Sequence, residues 1–360
     1  MPPKFKVLLF LLVTGIGIVK FLGKYTDDGD ELPLHYNASG SFKIVQISDL
    51  HYDRNEPECQ ESLRLIKEVV INEKPDFVVY TGDNIHSADV DKCIDDIVEP
   101  VENSHIPWTF VFGNHDVEFG YSRYALMSKY KSKKYCMVKY GYSSATAGVG
   151  NYVLELKEYG GPDTKFLFYF FDSGSYTHTP NGLSFDYMTT EQVSWYAQTS
   201  KAYKIRNRRD LPALAFFHIP LPEYAEAEIL SGEMNELICS GELNSGMFAS
   251  FVDNDVIACF AGHDHDNDFL GEKMGVFMAY GRCSGRASQT KKKIGVRVII
   301  LREEDPGLTT YIYERGNKIV DRNNDCYSKK VSWDLLHDRY VYPKIAHKIY
   351  KIYEKIQFSI

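Results

Sequence analysis

The sequence predicts an α/β fold built on β-strands that deliver polar side chains at their carboxyl ends. Three observations lead there. Five short apolar runs are each followed, at once or after a single glycine, by Asp, Asn or His, and a helical stretch joins the first two runs. The 360-residue chain is also 44% apolar with 26 Tyr and 21 Phe, enough for a large core and weighted toward β-formers.

In chain order, Lys43 to Ser48 reads as a strand ending in Asp49-Leu50-His51. Glu61 to Asn72 then carries Leu63, Ile66, Val69 and Val70 at helical spacing, and Phe77 to Thr81 is a second strand, ending in Gly82-Asp83-Asn84. Together they form a βαβ unit. Trp108 to Phe112 ends in Gly113-Asn114-His115-Asp116, Ala213 to Phe217 ends in His218, and Ile257 to Ala261 ends in Gly262-His263-Asp264-His265. Open α/β sheets place their sites at such strand ends. Further runs, from Asn151 to Asp172 and from Gly275 to Tyr313, supply a second sheet packed on the first. After Pro343 a helix is expected, with Ile345, Ile349, Ile352 and Ile356 on one stripe and lysines on the next. It either docks its apolar stripe on the domain or lies on an acidic membrane surface.

The start of the chain reads as a secretory address. Lys4 and Lys6 precede the thirteen-residue stretch Val7 to Val19, short of the roughly 20 residues that span a bilayer. A signal peptide is one reading, with Gly15-Ile16-Gly17 as the cleavage pattern. The other is a signal anchor extended by Phe21 and Leu22 past a snorkelling Lys20, which gives membrane attachment. Both place the domain in the secretory pathway, lumenal or extracellular, and the sequon Asn37-Ala38-Ser39 fits that compartment. The expected divisions are residues 1–24 for this segment, 25–41 for an acidic linker, 42–328 for the domain and 329–360 for a helical tail.

A formal charge of −8 leaves no broad basic face for nucleic acid, and the tight triplet Lys291 to Lys293 reads as a solvated turn. Seven cysteines with no C-x-x-C pair point to neither a zinc ribbon nor a thioredoxin-like site.

The strand-end residues suit a metal centre. Asp49 and His51, two apart in extended backbone, point to one side and can chelate one ion, and His263 and His265 repeat the spacing. Gly82, Gly113 and Gly262 precede Asp83, Asn114 and His263, where a residue without Cβ lets the chain turn tightly beneath an ion. Mixed Asp oxygen and His nitrogen suits Fe, Mn or Zn, whereas a Mg or Ca site uses fewer imidazoles. Two such ions about 3.5–4 Å apart, bridged by a carboxylate, supply what phosphate-ester hydrolysis requires: a hydroxide and positive charge on the phosphate oxygens.

In this order the motifs Asp49-x-His51, Gly82-Asp83-Asn84, Gly113-Asn114-His115-Asp116, His218 and Gly262-His263-Asp264-His265 resemble the signature of the calcineurin-like metallophosphoesterases, over roughly residues 42 to 300. Phe217 to Tyr224, Gly148 to Tyr152 and Gly262 to Phe269 look like the purple-acid-phosphatase-related branch. The resemblance implies a four-layer α/β/β/α sandwich of two mixed sheets, with a dinuclear site at the strand ends. It further implies that Asp49, His51 and His265 bind one transition-metal ion, that Asn114, His218 and His263 bind the second, and that Asp83 bridges them. A bridging hydroxide is then the nucleophile. His115, steadied by Asp116, stands beside the substrate as acid or transition-state stabiliser. True purple acid phosphatases carry a tyrosine three residues after the bridging Asp; here that position is His86, so no purple chromophore is expected.

Arg282 and Arg286 are the candidate guanidinium contacts to substrate phosphate. The expected substrate is a phosphoprotein or small metabolite phosphomonoester. A phosphodiesterase acting on nucleotides or lipid head groups, and a silent metal-binding protein, are the alternatives.

Overall fold

The computed structural model describes residues 32–328. The N-terminal segment 1–24, the first part of the linker and the tail 329–360 lie outside the described residues.

Two sheets form the centre. The first runs β17(Lys318–Cys326), β16(Asp305–Glu314), β15(Gly295–Arg302), β2(Ser41–Ile47), β3(Phe77–Thr81), β4(Trp108–Val111). Within it β2, β3 and β4 are parallel, while β15 joins β2 antiparallel. The second has nine strands, ordered β1(Leu34–His35), β6(Gly148–Lys157), β7(Thr164–Phe170), β10(Ala213–Phe216), β12(Val256–Ala261), β14(Val276–Tyr280), β13(Leu270–Lys273), β11(Glu228–Ser231), with β5(Tyr142–Ser144) added beside β6. Here β7, β10, β12 and β14 are parallel neighbours. A separate hairpin pairs β8(Tyr176–Thr179) with β9(Gly182–Phe185).

Side-chain alternation produces the layers. Phe168 and Phe170 of β7, with Leu214 and Phe216 of β10, point between the sheets, where Phe168 stacks on Phe42 and Phe77 with ring centroids 6.0 and 6.1 Å apart. Their neighbours Leu167, Tyr169, Ala213 and Ala215 point the other way, onto Trp195, Tyr196 and Tyr203 of α4(Thr190–Asn207) and Phe248 and Phe251 of α5(Met247–Asp253). The outer face of the six-stranded sheet is covered by α1(Cys59–Glu73) and α2(Val90–Asn103), which bury Leu65, Ile66 and Val69, and Ile94, Ile97 and Val101. A shorter helix, α3(Arg123–Lys131), buries Leu126, Met127 and Tyr130. The result is the four-layer α/β/β/α sandwich with two mixed sheets. All seven cysteines are free thiols, and Cys259 is a core residue.

Two expectations need correction. The second sheet is not assembled from the later runs alone: the five motif strands divide, β2, β3 and β4 lying in one sheet and β10 and β12 in the other. The linker also ends earlier than residue 41. β1 pairs in parallel with β6, and Leu34 and Tyr36 are buried; a two-residue strand is too short to show a period. Asn37 of the sequon is exposed, its Oδ1 accepting from the Ser39 N–H at 3.0 Å. Among the described residues no helix is long and apolar enough to cross a membrane.

Candidate metal centre

The carboxyl ends of β2, β3 and β4 meet those of β10 and β12 at one edge of the sandwich, and the chain leaves them in strained backbone. Asp49, His51, Asp83 and His263 have φ of 55°, 41°, 49° and 80°, a region that costs a non-glycine residue on the order of 1–3 kcal/mol. Hydrogen bonds between the loops hold these turns. His51 N–H donates to Asp83 O at 2.9 Å, His115 N–H to Asp83 Oδ1 at 2.8 Å, and His263 N–H to Asp49 Oδ1 at 3.0 Å. Gly113 explains itself here, since a Cβ at that position would overlap the amide and carboxylate of Asp83.

Two groups of ligand atoms result, Asp49 with His51 and His265, and Asp83 with His218 and His263. The Nε2 atoms of His51 and His265 are 3.2 Å apart, and His263 Nδ1 is 3.3 Å from His218 Nε2. The groups share an atom: Asp83 Oδ2 lies 3.5 Å from His51 Nε2 and 3.2 Å from His218 Nε2. Asn114 Oδ1 joins the second group at 3.2 Å from His218 Nε2, while Asn114 Nδ2 donates to the Tyr176 hydroxyl at 2.9 Å, which fixes the amide with its oxygen inward.

The ring protons are placed by their outer partners. His218 Nδ1 faces Thr81 O, and His265 Nδ1 faces Ser288 O, both at 2.8 Å. A carbonyl only accepts, so each Nδ1 carries a proton and each Nε2 is the nitrogen that faces the cluster. Imidazole nitrogens and carboxylate and amide oxygens thus converge on one place, and a cation fits that set of ligand atoms.

Electrostatics agree. Burial lowers His51 to about 4 and, with the adjacent His218, lowers His263 to about 3, so both rings are free to ligate at neutral pH. Burial also opposes charge on His218, but Asp83 and Asp49 outweigh it and raise that ring to about 9. The two carboxylates thus favour a positive charge at this position. Burial likewise works against ionisation of Asp83, yet His218 and His51 hold its carboxyl far below the usual range.

Not every predicted residue behaves as expected. Asp116 does not touch the His115 ring. Its buried carboxylate accepts the N–H groups of Asn84, Ile85 and Gly113 at 2.9, 3.1 and 2.8 Å, tying the β3 and β4 loops together. The ring is held instead by Glu118, whose Oε1 is 2.8 Å from His115 Nδ1. Arg282 is also not brought to the cluster. It is buried, with its guanidinium 2.5 Å from Asp268 and 3.1 Å from Glu314, groups far along the chain that no local pattern connects to it. Arg286 is exposed, its backbone N–H donating to Ser62 Oγ at 3.2 Å. His86 is exposed and lies 3.4 Å from Glu118. Lys292 is less solvated than its triplet suggested, pairing with Asp268 at 2.7 Å.

The segment from Tyr176 to Asp186, expected from the sequence as a loop around the site, contains the β8–β9 hairpin. Phe185 stands edge-on to His263 with centroids 4.3 Å apart, and Tyr176 stacks on Phe185. The available signal was Pro180-Asn181-Gly182 between two short alternating runs.

Comparison with known proteins agrees with this geometry. The profile of the family described as Calcineurin-like phosphoesterase matches residues 42–267. An Arabidopsis thaliana protein named Probable inactive purple acid phosphatase 14 is 32% identical over 293 residues, 70% of this chain and 72% of that protein. Phosphatase DCR2 of Saccharomyces cerevisiae is 32% identical over 290 residues, covering 69% of this chain and 48% of that protein. A solved structure, GAP50, described as the anchor in the inner membrane complex of Plasmodium, superposes with a TM-score of 0.51 at 14% identity, covering 80% of this chain and 90% of that one; at such identity the likeness is one of fold. The chain belongs to the calcineurin-like phosphoesterase family.

Proposed function

We propose that this chain is a phosphomonoesterase that works with two transition-metal ions of the Fe, Mn or Zn class. Asp49, His51 and His265 hold one, Asn114, His218 and His263 hold the other, and Asp83 serves both. The observation that carries this reading is the single oxygen Asp83 Oδ2 facing both imidazole groups, 3.5 and 3.2 Å away. When bound, such ions supply a hydroxide near neutral pH and neutralise phosphate oxygens. The chain supplies the rest. The His115 ring lies 5.1 Å from that of His51 and is a third exposed, so it borders both cluster and solvent. Glu118 accepts at Nδ1, leaving Nε2 to carry a proton to the leaving alkoxide. Asp116 keeps the loop that bears His115 in place. The partly exposed Tyr176 and Phe185 wall the second half-site with aromatic surface, where a phosphoprotein or small-metabolite ester packs.

A second reading, metal binding without turnover, is favoured by the name of the Arabidopsis relative and by His86 in the tyrosine position. Assaying the purified protein on mono- and diesters with added Mn, Fe or Zn, alongside metal analysis, separates the readings. Close to two cluster ions per chain and faster hydrolysis of monoesters are expected. Preference for diesters moves the assignment to a phosphodiesterase, and bound metal with no hydrolysis moves it to the silent binder.

The same reading places the protein in the secretory pathway, from the lysine-flanked apolar start and the exposed Asn37. Natively expressed protein is expected to gain gel mobility on glycosidase treatment and to fractionate with lumenal or secreted material. A cytosolic distribution with unchanged mobility overturns this.

A further inference from the structure

A third set of ligand atoms lies outside the seven-residue cluster. One ligand atom from each of His86, His115 and Glu118 lies within 4.8 Å of the other two, the same closeness as in the two sets of the cluster. We propose that His86, His115 and Glu118 bind a third divalent transition-metal ion, of the zinc class, on the solvent side of the dinuclear centre.

The donor set is the first reason. Two imidazoles and one carboxylate are a standard zinc set that leaves further positions to water. Zinc–ligand bonds of about 2.0–2.1 Å at tetrahedral angles set ligand atoms roughly 3.3–3.4 Å apart, and His86 Nε2 lies 3.4 Å from Glu118 Oε2. His115 Nδ1 is closer, at 2.8 Å from Glu118 Oε1, a hydrogen bond in which a proton stands where the cation would enter.

The second reason is that the backbone already holds all three ligands. His86 N–H donates to Tyr52 O at 3.1 Å, and Tyr52 bridges Ile85, which ties the β3 loop to the loop after β2. Glu118 N–H donates to His115 O at 3.1 Å, a turn that brings the side chains at these two positions out together. Phe119 packs edge-on against His86 at 5.1 Å. Among the described residues, the ion-pair partners of Glu118 are these two imidazoles, so its charge faces nitrogen donors rather than a lysine or arginine.

Exposure sets the affinity. The three side chains are between a third and a half exposed, and the His51 ring is 5.1 and 6.0 Å from those of His115 and His86. An ion here is repelled by cations in the cluster and exchanges with solvent, so it fills at higher free metal than they do. Its hold on Nδ1 leaves Nε2 of His115 as the proton-carrying nitrogen, as Glu118 does in its absence.

The test is equilibrium dialysis of the full chain against buffered Zn²⁺ at about pH 7.5, where ordinary imidazoles are unprotonated, with bound metal counted by elemental analysis and repeated with Co²⁺, whose visible absorption reports its ligands. Wild type should take up one more equivalent than either His86→Ala or Glu118→Gln over the same range of free metal, and the cobalt band of that equivalent should vanish in both. Both positions are solvent-facing, and unchanged melting in chelator establishes that each variant is folded. Equal metal content in wild type and both variants overturns the proposal. The one-equivalent difference is read whatever the buried cluster holds, so its failure is separable from failure of the phosphatase reading.

Discussion

Asp83→Ala is expected to abolish the proposed dinuclear centre, with loss of both cluster ions and of the proposed phosphatase activity. Asp83 Oδ2 is the atom that faces both imidazole groups, and Oδ1 accepts the His115 N–H, so one truncation removes the shared ligand and loosens the β4 loop. It also strips His218 of the main partner that favours its charge, leaving a fully buried imidazole beside Asn114 and His263. Breaking a buried ionic pair from one side costs about 3–5 kcal/mol. The metal contribution adds to this, since a ligand present at 100 times its dissociation constant stabilises the fold by about 2.7 kcal/mol. Wild type should therefore melt at a lower temperature in chelator than in metal, whereas the variant should melt low in both. Metal analysis together with paired melts in metal and chelator reads all of this; a variant that keeps two ions and a chelator-sensitive melt removes Asp83 from the bridging role.

Much of the candidate site was legible because its candidate ligands sit where apolar runs stop. β2, β3, β4, β10 and β12 are all buried in their interiors, so the first polar residue after each run marks the sheet edge, and five such edges identify a cluster without any knowledge of strand order. Strand order was not legible. β2 and β12 face each other across two sheets because β15, some 250 residues after β2, pairs along it from Ser41 to Gln46, and no local period encodes such a pairing. Roles that depend on rotamer were equally hidden. Asp116 and Glu118 stand one and three residues after His115, and only the turn decides that Asp116 reaches back to the Gly113 amide while Glu118 reaches the ring. Arg282 reads as a candidate anion contact until Asp268 and Glu314, 14 residues before it and 32 after it, are seen closing on its guanidinium.

His115→Ala separates an enzyme from a metal-binding protein, because His115 belongs to neither group of the buried cluster. The variant should retain both cluster ions and nearly normal stability: the His115 backbone N–H that braces Asp83 is kept, and a ring one-third exposed contributes little burial. Turnover should fall by about 10²–10⁴, the range for loss of a general acid. The loss should shrink for nitrophenyl esters, whose leaving group departs without protonation, and grow for alkyl esters, whose alkoxide does not. That dependence on leaving group is what a merely structural defect does not produce, since a distorted cluster slows every ester alike. A His115→Ala protein that hydrolyses alkyl and nitrophenyl esters at wild-type rates removes the acid from the mechanism. One that slows both equally moves His115 from proton donor to stabiliser of phosphate charge, a role that Nε2 also permits and that is insensitive to the leaving group.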